Sequence, residues 1–246
     1  MTALRKLTVT EFKLFLREPM VVFFAIAFPS VLVGILGNVD EFQKVDPALG
    51  GARVIDLYVT IAATFVLAML GLQAAPAVLA TYREKGILRR MSTTPVHPTN
   101  MLAAQLIANV TIALVSAALV FTVGRVAFDV ALPRQIVGFA VAFTFTAAAV
   151  FAVGIFVAAV APNGKAANGI GAVLFFPLMF FAGLWAPRET MSPVLRRIGD
   201  FTPLGAGEQA LHDAASGAWP GAGSLLVLVA YVVAFGLAAA RLFRWE

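Results

Sequence analysis

The chain has 246 residues, 61% of them hydrophobic and only 13% charged, and a mean hydropathy of +0.91 excludes an ordinary soluble domain. Its net charge of +5 is scattered over short segments between apolar runs. That pattern argues against nucleic-acid binding and fits the Lys and Arg excess of a multispanning membrane protein. With no cysteine in the sequence, disulfides, zinc–thiolate sites and thiol catalysis are excluded.

No cleavable signal peptide is expected, because the first apolar run begins only near Met20 and further spans follow. Residues 1–19 predict an amphipathic helix lying on the membrane surface. At about 100° per residue, Lys6, Lys13 and Arg17 share one sector, while Leu4, Leu7, Phe12 and Phe15 lie opposite. Arg17-Glu18-Pro19 ends this helix and opens a first span over 20–37, with Pro29 as a kink. Residues 38–56 are polar with an acidic lean, which suits the outside. A second span covers 57–81 and contains Gln73 and Pro76.

The segment 82–98, YREKGILRRMSTTPVHP, is strongly basic and sits between two long apolar runs. Each Lys or Arg would cost about 2.5–3.5 kcal/mol at the bilayer centre, so this segment belongs outside the hydrocarbon and on the cytoplasmic side. Arg83 to Met91 form a short amphipathic helix with Ile87, Leu88 and Met91 on one face, stopped by Pro95 and Pro98. Two roles fit: a loop that only fixes orientation, or a docking element for a soluble partner.

A third span covers 101–123, with Gln105, Asn109 and Ser116 on one face, either bonding a neighbouring helix or lining a substrate path. A fourth follows at 136–161, and the turn Pro162-Asn163-Gly164-Lys165 leads into a fifth at 168–185. Residues 186–220 hold two apolar pieces, Met191–Ile198 and Leu204–Ala215, too short to cross about 30 Å of hydrocarbon. They read as short helices at, or dipping into, the outer interface. The last span is 222–240, anchored by Arg241, Arg244 and Trp245. With both termini inside, eleven Lys and Arg fall inside and seven outside. The fold class is therefore an all-α integral membrane protein with six transmembrane helices and both termini cytoplasmic.

The chemistry of an intramembrane enzyme is missing. No ionisable side chain falls clearly within a predicted span, and the two histidines, His97 and His212, sit on opposite sides. Neither HExxH nor GxSxG occurs, and Gly164-Lys165 lacks the rest of a nucleotide-binding loop. Proton- or sodium-driven transport would call for an intramembrane carboxylate or paired broken helices, and a channel for a filter or charge ring. If the protein transports actively, another polypeptide must supply the energy.

Three features in this order resemble the membrane subunits of type-2 ABC exporters, the group that includes bacterial drug and antibiotic efflux permeases. Glu84-Lys85-Gly86-Ile87-Leu88-Arg89-Arg90 with Thr94-Pro95 looks like that family's E-K/R-G-T-L-x-R-L-x-x-T-P stretch, with Ile87 where Thr is frequent. The FFAGLWAPRETMSP run, with Leu195-Arg196-Arg197-Ile198 and Thr202-Pro203-Leu204 after it, is similar to the family's fifth-span ending and extracellular re-entrant helical hairpin. The helix ending in Arg17-Glu18-Pro19 matches the family's connecting helix. The resemblance implies one type-2 transmembrane domain in a bacterial plasma membrane, not catalytic itself. Two such permeases, identical or similar, would pair with two separately encoded ATPase subunits. ATP and Mg would bind on those partners and no cofactor on this chain.

By the same resemblance Arg83, Glu84, Lys85, Gly86, Ile87, Leu88, Arg89 and Arg90 would form the ATPase-coupling segment. Glu84, Arg89 and Arg90 would contact the ATPase or lock against the connecting helix, which carries Lys6, Lys13, Arg17 and Glu18. The expected substrate is a hydrophobic or amphipathic small molecule moved outward between the two copies, along spans 1, 2 and 5. A glycan or lipid-linked cargo, or a non-transporting scaffold for an ATPase, is the alternative. The short 38–56 loop argues against a large extracellular domain and against lipoprotein-handling relatives.

Overall fold

Six helices in the computed structural model, which describes residues 3–49, 51–92 and 99–242, are long and apolar enough to cross a membrane. They are Pro19–Gly37, Val54–Glu84, Thr99–Phe128, Ile136–Val160, Gly164–Phe181 and Ala222–Leu242, here spans 1 to 6. Six crossings bring residues 3 and 242, the first and last described, to one end of the bundle, the near end. There the helix Ala3–Leu16, the segment after span 2 and the turn between spans 4 and 5 also lie. Span 2 is the central column. Nearly all its residues from Ile55 to Leu72 are buried, whereas span 6 buries only Leu228 and Ala239.

The expected bounds shift where capping groups decide them. Span 2 starts at Val54 rather than 57 because Arg53 and Asp56 form a capping box, with the Arg53 N–H donating to Asp56 Oδ2 at 3.1 Å. Span 5 starts at Gly164 rather than 168, since Asn163 Oδ1 accepts from the Ala166 N–H at 2.8 Å. It stops at Phe181 rather than 185. Gly183 takes a left-handed φ of 93°, and the Leu184 N–H bonds back to the Met179 carbonyl at 3.0 Å. At the far end, 38–56 is not a plain loop. It holds a short helix, Asp40–Gln43, and an antiparallel pair of two-residue strands, Val45–Asp46 with Ala52–Arg53. Helices Pro193–Asp200 and Pro203–Ser216 follow span 5 much as expected, with Ser192 and Thr202 as their N-caps. The second is buried against span 4. Thr94, Pro95, His97, Pro98, Arg244 and Trp245 lie outside the described residues.

Two spans contain a π-type turn just ahead of a proline: Phe23–Ala27 before Pro29, and Met69–Ala74 before Pro76. Within the second turn the Ala75 N–H bonds five residues back, to the Leu70 oxygen, and Pro76 has no N–H to continue that register to the Gly71 oxygen in the middle of span 2. Neighbouring glycines receive this stretch. A β-carbon at Gly171 of span 5 would stand 2.0 Å from the Leu72 oxygen, and one at Gly154 of span 4 would stand 1.9 Å from the Gly71 oxygen. Bare Cα atoms let the bent backbone of span 2 lie directly against both neighbours, with C–H groups facing the carbonyls. Gly171 is thus the small residue of span 5 that this close approach requires.

Gly154→Ala and Gly171→Ala should each lower stability by about 1–3 kcal/mol, because backbone on span 2 must move. Gly169→Ala, where nothing lies within 4 Å of the new methyl, should leave the thermal unfolding midpoint in detergent unchanged.

Candidate functional site at the near end of the bundle

The basic segment after span 2 divides differently from its sequence periodicity. The predicted surface helix Arg83–Met91 is two pieces. Span 2 continues through Arg83 and Glu84, the chain turns at Lys85-Gly86 with φ of 64° at Gly86, and a short helix covers Ile87–Ser92. Only glycine takes that φ without strain, which accounts for its place in the motif. In the short helix Leu88 is fully buried, Ile87 and Met91 are partly buried, and Arg89 and Arg90 are exposed. Arg90 Nη2 reaches back to the Lys85 carbonyl at 3.3 Å.

Arg83 and Glu84 stay on span 2 because both are engaged by the turn joining spans 4 and 5. Arg83 Nη1 donates to the carbonyls of Ala158 and Ala159 at 2.9 and 2.8 Å, and Nη2 donates to Ala161. A guanidinium fork thereby caps the carboxyl end of span 4, where free carbonyls and the helix dipole favour a cation. One residue on, Glu84 Oε2 accepts the Gly164 N–H at 3.2 Å, placing a carboxylate at the amino end of span 5. A β-carbon at Gly164 would meet Thr81 Oγ1 at 2.1 Å, so glycine is required for the approach. Adjacent residues of opposite charge thus clamp one end of each of two helices.

The N-terminal helix lies along span 3. Lys6, Lys13, Arg17 and Glu18 are exposed, and Phe12 and Phe15 pack on the main core. Of the two alternatives for Glu84, the ATPase or the Lys6, Lys13 and Arg17 face, neither is seen in the single chain, where its bond is to the span 4–5 turn. The two segments meet instead where the Tyr82 hydroxyl donates to Glu11 Oε1 at 2.9 Å. Glu11 is only 4% exposed. Burial raises its carboxyl above the ordinary value of 4.5, and the Tyr82 bond opposes that shift. The wheel already put Glu11 in the middle of the apolar sector, a position where a carboxylate needs a partner, and sequence reasoning passed over it.

Beneath the N-terminal helix, between spans 2 and 3, is a cavity of about 550 Å³ bordered by Glu11, Gln73, Tyr82, Gln105, Asn109 and Asn168 among largely apolar neighbours. The polar face of span 3 turns inward: Gln105, Asn109 and Ser116 are all buried. Asn109 Nδ2 donates to the Gln105 backbone carbonyl at 2.9 Å, while Gln105 Oε1 and Ser116 Oγ accept nothing within the protein. Among the described residues no group of three or more His, Asp or Glu is placed to hold a metal ion.

At the far end Arg188 is 2% exposed. Its Nη1 donates to the carbonyl of Phe181, the last residue of span 5, at 3.1 Å, and its Nη2 pairs with Asp200. Its Nε lies 3.6 Å from Glu208. The glycines Gly199 and Gly205 make room, since a β-carbon at Gly205 would fall 2.6 Å from Nη1. Burial pushes the Glu208 carboxyl up to about 8, and Arg188 offsets this only in part. A raised folded-state value means the contribution to stability is full below the ordinary 4.5 and is lost as pH rises through about 8. Glu208→Gln should therefore unfold at a higher temperature than wild type above pH 8, and the gap should close as pH falls towards 4.5. Thermal unfolding across that range checks it.

The profile of the ABC-2 type transporter family matches residues 2–214. The chain is also similar to a protein of Bacillus subtilis (strain 168) named "Putative transport permease YvfS", at 25% identity over 241 residues, covering 96% of this chain and 95% of that protein. The family match spans the N-terminal helix, the clamp and most of the two short far-end helices, and it agrees with six helices long and apolar enough to cross a membrane. This chain belongs to the ABC-2 type transporter family, as a multi-pass membrane permease.

Proposed function

We propose that the protein is the membrane half of an ATP-driven exporter in a bacterial cell membrane, with its near end cytoplasmic. Separately encoded ATPase subunits hydrolyse ATP, and two permease copies form the path for a hydrophobic or amphipathic small molecule. The observation that carries the coupling part of this reading is the Arg83–Glu84 clamp. Through it, any push delivered to the Ile87–Ser92 helix reaches spans 4 and 5 as well as span 2. In this reading Arg89 and Arg90, both exposed, meet the ATPase, while Gly86 supplies the turn and Leu88 the buried foot of the short helix. Arg83 and Glu84 transmit rather than touch.

Apolar side chains on the outward faces of spans 1 and 5, such as Val31, Ile35, Val173 and Phe176, support a second copy across from them and a path of the same character. Antibiotic efflux fits such a path better than a glycan does, because a sugar chain would call for rows of polar and aromatic groups. The test is co-purification in detergent with ATPases encoded beside the gene. Arg89→Glu/Arg90→Glu should abolish the complex or its substrate-stimulated ATPase activity, with the permease still folded. A complex whose ATPase activity answers to no amphipathic compound would support a scaffold instead, and no complex at all would leave the segment as an orientation signal.

A further inference from the structure

Span 6 packs along span 4, and between it and span 3 runs a groove of about 440 Å³. Leu102 and Leu106 form its span 3 wall, Ala148 and Ala152 its floor on span 4, and Gly236 and Ala239 its span 6 wall. Small side chains make the hollow: a β-carbon added at Gly236 would meet nothing within 4 Å. All of the lining is apolar and comes from spans 3, 4 and 6, apart from the export path proposed along spans 1, 2 and 5. On span 6 the groove runs from Val232 to Ala240, about 12 Å of helix. Ala240 is two residues from the end of span 6, and Leu102 three from the start of span 3. The groove therefore begins at the near end and stays within one leaflet, whose hydrocarbon is about 15 Å deep. Arg241 follows Ala240 directly; it is exposed and pairs with no carboxylate among the described residues.

We propose that this groove seats one acyl chain of an anionic phospholipid of the near leaflet, with the lipid phosphate on Arg241. An apolar hollow facing the hydrocarbon is filled by a lipid chain or by another helix. A 12 Å length of helix, about 10–12 Å across, occupies more than twice the groove's volume, so the hollow fits a chain. The guanidinium at its mouth complements a phosphate and adds attraction for a head group of net negative charge. Span 6 buries only Leu228 and Ala239, and a seated chain gives this span a second packing surface besides span 4. The binding needs neither ATP nor an ATPase, so it stands or falls separately from the export reading.

Photo-crosslinking of the full-length permease tests it. The protein is placed in phosphatidylcholine bilayer discs holding a small fraction of phosphatidylglycerol with a diazirine in its acyl chain. Parallel discs carry the same fraction of phosphatidylcholine with the same diazirine chain, and adducts are mapped by peptide mass spectrometry. The phosphatidylglycerol probe should label peptides around Leu106, Ala152 and Gly236 about fivefold more than the phosphatidylcholine probe, as expected for one cation at the head group. At Leu114 and Val115, exposed on span 3 outside the groove, the two probes should label equally. Arg241→Gln should bring phosphatidylglycerol labelling of the groove down to the phosphatidylcholine level, and Gly236→Leu, which fills the hollow, should abolish labelling there by both. Arg241 is exposed, so its variant decides the matter even if Gly236→Leu fails to fold. Equal labelling of the wild-type groove by the two probes would overturn the proposal, as would a phosphatidylglycerol excess that Arg241→Gln leaves in place. An unlabelled groove, with a disulfide between copies at Gly236→Cys, would give the surface to a second copy and overturn it too.

Discussion

A backbone carbonyl left free by a proline or a helix end needs a donor, which inside the bundle no water can supply, and three places in this chain are organised around that need. In the middle of span 2, Pro76 has no N–H for the Gly71 oxygen, which lies against Gly154. At the near end, the last carbonyls of span 4 converge on Arg83. At the far end, the last residue of span 5 offers its carbonyl to Arg188. Span 5 is consequently held at its start by Glu84, in its middle by the bend of span 2, and at its end by Arg188. Each contact answers a local need of the backbone, and together they make spans 2, 4 and 5 one connected unit.

That unit gives the basic segment a mechanical meaning. A solvent-exposed ion pair contributes little, about 0–1 kcal/mol, and would make a poor lever. Arg83 instead makes charge-assisted bonds to helix-end carbonyls that have no other partner, so pulling it away leaves several of them unsatisfied at once. The turn at Gly86 then sets Ile87–Ser92 off from span 2, with Leu88 buried and Arg89 and Arg90 exposed. A force on the exposed face is carried by the buried one.

Much of the architecture was legible in the sequence. Apolar runs of about twenty residues with polar breaks are dictated by bilayer thickness, and the order of six spans followed from them. The two short helices at the far end followed from two apolar pieces too short to cross the hydrocarbon. The amphipathic sector of the N-terminal helix also matches its buried side. What local pattern could not show was tertiary satisfaction. Arg83 and Glu84 have a place on an amphipathic wheel running to Met91, and only the neighbouring span 4–5 turn draws them back onto span 2. Arg188 looked like a surface charge because its partners, Asp200 and Glu208, lie twelve and twenty residues on. The strand pair at 45–46 and 52–53 is too short for any periodicity to register. Glu11 and Gln105 were different, since both were visible as polar residues on faces that had to be buried.

If the clamp holds, the segment after span 2 and the span 4–5 turn move as one body. The natural chain has no cysteine, so nitroxides can be attached at Lys85→Cys and Lys165→Cys, both exposed positions, with nothing else to remove. Dipolar broadening between these labels, in the reconstituted ATPase complex with and without ATP, is the most direct test. One narrow distance that ATP leaves unchanged, and that Arg83→Ala broadens, is the predicted result. A wild-type distance that changes when ATP binds would contradict the account.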